Sequence, residues 1–105
     1  MQSRYWKDLA PVVNANGIHG TKLYAAPEGE IVHLGLVPGA ILKTHKTPVN
    51  VVFYVLEGTA TLEIGDEKQS FPKDTTIDSP KDIPHAVLNE GDTNLRLLVI
   101  KMPKP

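Results

Sequence analysis

The clearest pattern of apolar and polar positions in the chain covers residues 51–64. Its first arm, Val51–Leu56, is apolar or aromatic at every position, whereas its second arm, Thr59–Ile64, strictly alternates polar and apolar residues. Alternation is typical of a strand with one buried face, and an unbroken apolar run is typical of a strand covered on both faces. Glu57-Gly58 separates the arms, and glycine adopts the positive φ that tight turns require. The pattern therefore predicts a β-hairpin.

Pairing the two arms around that turn places six apolar side chains on one face of the hairpin. These are Val51, Phe53, Val55, Ala60, Leu62 and Ile64. The opposite face of the first arm carries Val52, Tyr54 and Leu56, which we call the outer row. The outer row needs a cover, because a contiguous exposed apolar patch is uncommon on a soluble monomer. The cover is another part of the same chain, such as an N-terminal arm with Trp6, or a second copy; we expect a homodimer.

The rest of the chain consists of short apolar runs separated by turn residues. Further strands are predicted at 17–25, 30–37, 68–71, 75–78, 85–88 and 95–101. Nine prolines and eight glycines break the chain between these runs, and no run of helical length has a 3.6-residue period. Frequent turns between short strands indicate an all-β barrel or sandwich, with residues 1–16 as an N-terminal arm.

Composition narrows the classes of function. The chain has 105 residues, which corresponds to one domain spanning 1–105, and it has no cysteine, which excludes disulfides and thiolate metal sites. The formal charge of −1 gives no electrostatic reason to expect nucleic acid or a membrane as partner. The N-terminal residues lack a signal-type apolar run, and no stretch has the length of a membrane helix. We therefore expect a cytoplasmic protein.

Two groups of residues about 40 positions apart carry a recognisable spacing. Gly39, His45 and Gly58 fit the pattern G-x5-H-x-H-x3-E-x6-G, and Pro80, His85 and Asn89 fit G-x5-P-x-G-x2-H-x3-N. In this spacing the chain resembles the cupin family over roughly Val32–Met102. The resemblance implies a single antiparallel jelly-roll β-barrel. Aspartates at 74 and 82 replace the two glycines of the second motif, and aspartate tolerates the left-handed backbone better than most residues.

The resemblance also implies a metal site near the mouth of the barrel, with three histidines and one glutamate as ligands. Carried over here, those positions are His45, Thr47, Val51 and His85, so only two imidazole ligands remain. If a metal binds, the expected ion is Zn, Ni, Fe or Mn, and its protein ligands are His45 and His85. His33 is a third candidate if its face of the strand turns inward; otherwise it lies outside and hydrogen-bonds solvent or backbone.

Two main hypotheses of function follow. In the first, a small-molecule ligand binds in the barrel against His45, Thr47, Val51, Phe53 and His85, with at most a weak metal site. The two histidines are then also the candidates for acid/base catalysis, because imidazole titrates near neutral pH. Lys43 shares the parity of His45, so it lies either at the mouth, where it favours an anionic ligand, or on the solvated surface.

The second hypothesis is a metal-dependent cupin enzyme of the dioxygenase or isomerase class. It requires an open metal site with anionic support, and the missing glutamate counts against it. A third alternative is an association module with a vestigial pocket, in which the outer row is the functional surface. The sequence does not identify an organic cofactor or decide whether the protein is an enzyme.

Overall fold

The computed structural model describes all 105 residues, and it consists of ten strands and one short 3₁₀ turn. The turn spans Trp6–Asp8. The strands are β1 Val13–Ala15, β2 Ile18–Ala26, β3 Gly29–Leu36, β4 Ile41–His45, β5 Asn50–Glu57, β6 Ala60–Ile64, β7 Glu67–Phe71, β8 Thr76–Ser79, β9 His85–Leu88 and β10 Leu95–Met102. No helix is long and apolar enough to cross a membrane. The all-β prediction is confirmed.

Two antiparallel sheets face each other across one core. The larger sheet has the order β1-β2-β3-β10-β5-β8, and the smaller has the order β4-β9-β6-β7. Neighbours in space are therefore mostly distant in sequence, as in a jelly roll. The inward side chains of β5, β6 and β10 supply much of the core, where Phe53, Leu62 and Leu97 are almost fully buried.

The predicted hairpin between β5 and β6 is wrong, although the faces of its residues are right. β5 pairs with β10 and β8, whereas β6 pairs with β7 and β9, so the two strands belong to different sheets. Gly58 has φ +78 and carries the chain from one sheet to the other. The six apolar residues predicted to share a face do point at one another, but across the core rather than along a ladder. Five are buried and Ile64 is partly buried.

Special backbone positions lie where the motif comparison places them. Asp74 and Asp82 have φ values of 65 and 63, so both aspartates adopt the left-handed conformation at the motif's glycine positions. The Nδ2 of Asn89 donates to the carbonyls of Leu36 and Thr93, each at 2.9 Å. Asn89 therefore ties the β9–β10 loop to β3, which is the structural role that a buried amide with several partners serves.

The outer row remains partly exposed in the single chain. Val52, Tyr54 and Leu56 are half-buried, and Leu98 and Ile100 of β10 lie opposite Tyr54 and Val52. Trp6 of the N-terminal arm packs on His33 and near His19. His33 lies on this same outer face, where Leu98 separates it from Tyr54.

Candidate functional site

His45 and His85 meet on the inner wall of the barrel. They are cross-strand partners on β4 and β9, and their Nε2 atoms lie 3.2 Å apart. The register of this pair shifts between Leu42 and His45. In a regular strand, residues three apart point to opposite faces, so this irregularity allows both Leu42 and His45 to line the same cavity.

The loop before His85 is fixed on both sides. The backbone N–H of Asp82 donates to the carbonyl of Thr47 at 2.9 Å, and the N–H of Gly65 donates to the carbonyl of Pro84 at 2.8 Å. These bonds anchor the loop to the β4–β5 and β6–β7 connections. His85 therefore begins β9 in a defined position, with its side chain only 2% exposed.

A chain of hydrogen bonds sets the tautomer of each imidazole. His45 Nδ1 lies 2.9 Å from the carbonyl oxygen of Lys43, which only accepts, so Nδ1 carries the proton and Nε2 is the acceptor. His85 Nε2–H then donates to His45 Nε2. This leaves His85 Nδ1 to accept from the hydroxyl of Ser79, at 2.8 Å. This series of hydrogen bonds connects buried Ser79 through His85 to exposed His45.

The environment keeps His85 uncharged at neutral pH. Burial, the neighbouring His45 and the ammonium of Lys101 together lower the pKa of His85 from 6.5 to about 4. Burial is the largest of these causes, because it removes the hydration that a charged imidazole needs. His85 therefore enters the cavity as a neutral imidazole whose proton position is set by its neighbours.

The cavity beside the two histidines has a volume of about 270 Å³. Its polar lining residues are Lys22, Glu30, His45, Thr47, His85 and Lys101. The apolar ones are Val12, Val13, Val32, Leu34, Leu42, Phe53 and Val99. Mostly apolar walls with a few converging polar groups are typical of small-molecule sites. The structure thus brings His45, Thr47, Phe53 and His85 to one cavity.

Three of the candidate residues lie elsewhere. Val51 is fully buried but does not line this cavity, since it packs into the core. Lys43 is exposed and lies outside the cavity, because the irregularity of β4 breaks the parity that it was expected to share with His45. His33 points to the outer face of the larger sheet, which was one of its two expected orientations, and it therefore does not join His45 and His85 as a possible metal ligand.

His33 instead forms part of the attachment of the N-terminal arm. Its ring stacks on Trp6 with centroids 4.4 Å apart, and its Nε2 accepts from Arg96 Nε at 3.0 Å. Burial and the guanidinium of Arg96 lower the pKa of His33 to about 4. His33 faces outward because its strand neighbours Val32 and Leu34 face the core, and the indole and the guanidinium cover its neutral ring. The cavity of about 340 Å³ next to Trp6 adjoins this cluster and not the His45–His85 pair.

The donor set at the pair does not fit a tightly bound divalent ion. Two imidazole nitrogens 3.2 Å apart can bind one ion, since zinc–nitrogen bonds of roughly 2.0–2.1 Å give a similar separation. Structural and catalytic sites need at least three protein ligands, however. Thr47 offers only a neutral hydroxyl, Val51 offers no donor, and no group of three His, Cys, Asp or Glu residues lies close together.

Four residues of the cavity region were not found from the sequence: Lys22, Glu30, Ser79 and Lys101. For two of them, the alternation of inward and outward positions along the strand indicates that the side chain faces the cavity. Glu30 has the parity of Val32 and Leu34, and Lys101 has the parity of Leu97 and Val99, so each continues an inward face. Ser79 lies directly opposite Val51, a pairing that only the tertiary structure reveals.

Comparison with known proteins agrees with the fold. The sequence model of the cupin domain family matches residues 32–101 of this chain. Auxin-binding protein 1 of Arabidopsis thaliana is 30% identical over an alignment of length 92, which covers 79% of this chain but only 46% of that protein. The chain thus spans about half the length of this relative.

Two solved structures illustrate the range of similar proteins. The protein TT1209 from Thermus thermophilus has 26% identity and a TM-score of 0.86, with both chains covered completely. The polyketide cyclase RemF from Streptomyces resistomycificus has 20% identity and a TM-score of 0.83, with 99% of this chain and 80% of that chain covered. Proteins with this fold therefore include at least one enzyme, and at this identity the likeness concerns the fold alone.

Proposed function

The chain belongs to the cupin domain family, and from that premise we propose that it binds a small organic ligand in the barrel cavity beside His45 and His85. The observation that supports this proposal most is the meeting of the two Nε2 atoms, 3.2 Å apart, at the wall of a cavity of about 270 Å³. Phe53 packs edge-on against His85 with ring centroids 5.3 Å apart. A polar pair against an apolar wall gives a ligand both orientation and burial.

The two histidines have different roles in this proposal. His45 is exposed, so its Nε2 can exchange the bond from His85 for one from a ligand hydroxyl or amine. His85 is buried and neutral, and its contacts with Ser79 and Thr47 fix the orientation of its ring. It therefore keeps the proton on its Nε2 directed at His45 Nε2. If the bound ligand reacts, the step that these groups support is proton transfer at His45 Nε2, with His85 as the positioning residue.

A metal-dependent enzyme is the less favoured alternative. The two converging nitrogens favour weak binding of a divalent ion such as Zn, Ni, Fe or Mn, with His45 and His85 as its ligands. The one carboxylate of the cavity, Glu30, lies between the ammonium groups of Lys22 and Lys101, so it leaves the charge of such an ion unbalanced. The nearby Lys101, which lowers the pKa of His85, repels cations further.

The proposal is tested by filling the cavity. A fragment library is screened by ligand-observed NMR, and hits are mapped by the amide shifts of isotope-labelled protein. Val32→Phe places a ring into the cavity without altering the histidines, whereas Val37→Phe makes the same change at an exposed position outside it. We expect hits to shift the amides around His85 and to lose binding in Val32→Phe only. Hits that bind Val32→Phe and the unmodified protein equally would contradict the proposal.

We also infer that the protein forms a homodimer through the outer row. Val52, Tyr54 and Leu56 remain half-buried, and Leu98 and Ile100 continue the same surface on the neighbouring strand. An isologous contact would bury this apolar surface on both copies at once. The association hypothesis thus adds to ligand binding and does not replace it.

We propose a cytoplasmic location, which rests on the cysteine-free composition. Proteins of oxidising compartments often carry disulfides, whereas cytoplasmic proteins rarely do. Fractionation of cells that produce the full protein should recover it with cytoplasmic markers. Recovery with an extracellular or membrane fraction would contradict this location.

A further inference from the structure

Three charged side chains share the cavity wall on the side formed by β2, β3 and β10. Glu30 and Lys101 are cross-strand partners, and Lys22 lies on the adjacent strand. The Nζ atoms of Lys22 and Lys101 lie 3.8 and 4.0 Å from the same oxygen, Oε1 of Glu30. Both distances exceed the usual range of an N–H···O hydrogen bond. Each ammonium is therefore near the carboxylate but keeps its donors free for another acceptor.

One carboxylate cannot neutralise two ammonium groups, so the cavity has one excess positive charge. The Glu30 side chain is 8% exposed, whereas those of Lys101 and Lys22 are 25% and 42% exposed. No other acidic residue lines the cavity, and its remaining polar residues are Thr47 and the two histidines. Charges on a partly buried, low-dielectric wall interact strongly with a bound charge of opposite sign.

We propose that the ligand of the barrel carries a single carboxylate, which Lys101 and Lys22 bind while its apolar part packs against Val32, Leu34 and Phe53. This inference rests on the proposed function, because it specifies the chemistry of the ligand in the same cavity. A carboxylate matches one excess positive charge, whereas a phosphate monoester carries about −1.5 to −2 at neutral pH. Since Lys101 also acts electrostatically on His85, the bound carboxylate lies close to the histidine pair.

The test compares probes that differ only in charge. Acetate, butyrate and benzoate are titrated beside acetamide, butyramide and benzamide, and binding is followed by the amide shifts of isotope-labelled protein at constant ionic strength. The variants are Lys101→Met and Lys22→Met. Lys43→Met is the matched control, since Lys43 is exposed and lies outside the cavity. Lys101→Met can also be examined without any ligand. Loss of the ammonium should raise the pKa of His85, which NMR of the imidazole ring measures.

We expect at least one carboxylate to shift the cavity amides and to bind at least about tenfold more tightly than its amide, the scale of one hydrogen bond to a charged group. Lys101→Met should remove that preference and Lys43→Met should keep it. Amides that bind as tightly as the acids would overturn the inference and leave the barrel as a binding site. If none of the six probes shifted the cavity amides, both the inference and the proposed function would be contradicted.

Discussion

Lowering the pH from 7 to 5 should destabilise the folded protein, because two buried histidines resist protonation. The pKa values of His33 and His85 fall from 6.5 to about 4, with burial as the largest cause for each. Arg96 adds to the effect at His33, and His45 and Lys101 add to it at His85. In the unfolded chain both histidines titrate near pH 6.5. Below this pH the unfolded state therefore binds more protons, and the free energy of unfolding falls.

The expected loss follows from the size of these shifts. Each pKa unit corresponds to about 1.36 kcal/mol, so a histidine shifted to about 4 loses roughly 2 kcal/mol of stability between pH 7 and 5. His33 lies on the outer face of the larger sheet, whereas His85 lies inside the barrel on β9 of the smaller sheet. Their contributions should therefore nearly add, to about 4 kcal/mol. That is a large part of the 5–15 kcal/mol that is typical of a folded domain.

Urea unfolding at pH 7, 6 and 5, followed by the fluorescence of the single Trp6, measures this loss. The range above pH 5 is chosen because most carboxylates stay ionised there. His33→Gln and His85→Gln should each remove about half of the pH dependence. A free energy of unfolding that is equal at pH 7 and 5 within about 0.5 kcal/mol would refute the reasoning.

Three further predictions follow from single features of the structure. The unmodified protein should sediment as a dimer at tens of micromolar and the variant Val52→Lys with Leu56→Glu as a monomer or insoluble protein; a monomeric unmodified protein would contradict the homodimer. Gly58→Ala should lower the free energy of unfolding by well over about 1 kcal/mol, because φ is +78 and its Cβ would lie 2.5 Å from the carbonyl oxygen of Asn94. Gly39→Ala, with φ +85 and nothing within 4 Å, should cost less, and equal losses would refute the clash. Asn89→Ala should cost about 2 kcal/mol, because it leaves the buried carbonyl of Leu36 without its donor; an unchanged urea midpoint would contradict that role.

The class of fold and the inward faces of several strands were predictable from the sequence, but the pairing of strands was not. The alternation at Val51, Phe53 and Leu62 reports which side chains point to the core, and it does so correctly. The same alternation is expected whether β5 and β6 are hydrogen-bonded neighbours in one sheet or face each other from two sheets. The choice depends on β10 and β9, which are distant in sequence and provide the actual partners.

The candidate site was predictable to a similar extent. The spacing of the two motifs indicated His45 and His85, and the structure brings their rings together. Lys43 lies on the solvated surface, which was one of the two positions left open, and the residue pattern could not decide between them because it does not reveal the irregularity of β4. His33 points outward because its strand neighbours Val32 and Leu34 point to the core, but the sequence did not show which of the two faces of β3 turns inward. Its contacts with Trp6 and Arg96 are visible only in the structure.

A crystal structure of the protein, purified without a tag or chelator and measured with anomalous diffraction, tests the central claim most directly. The proposed function predicts electron density for an organic molecule in the cavity beside His45 Nε2 and Phe53, with no strong anomalous peak. A fully occupied metal peak bonded to the Nε2 atoms of both His45 and His85, and lost in His45→Ala and in His85→Ala, would contradict the account. That result would identify the protein as a metal-binding cupin despite its missing carboxylate.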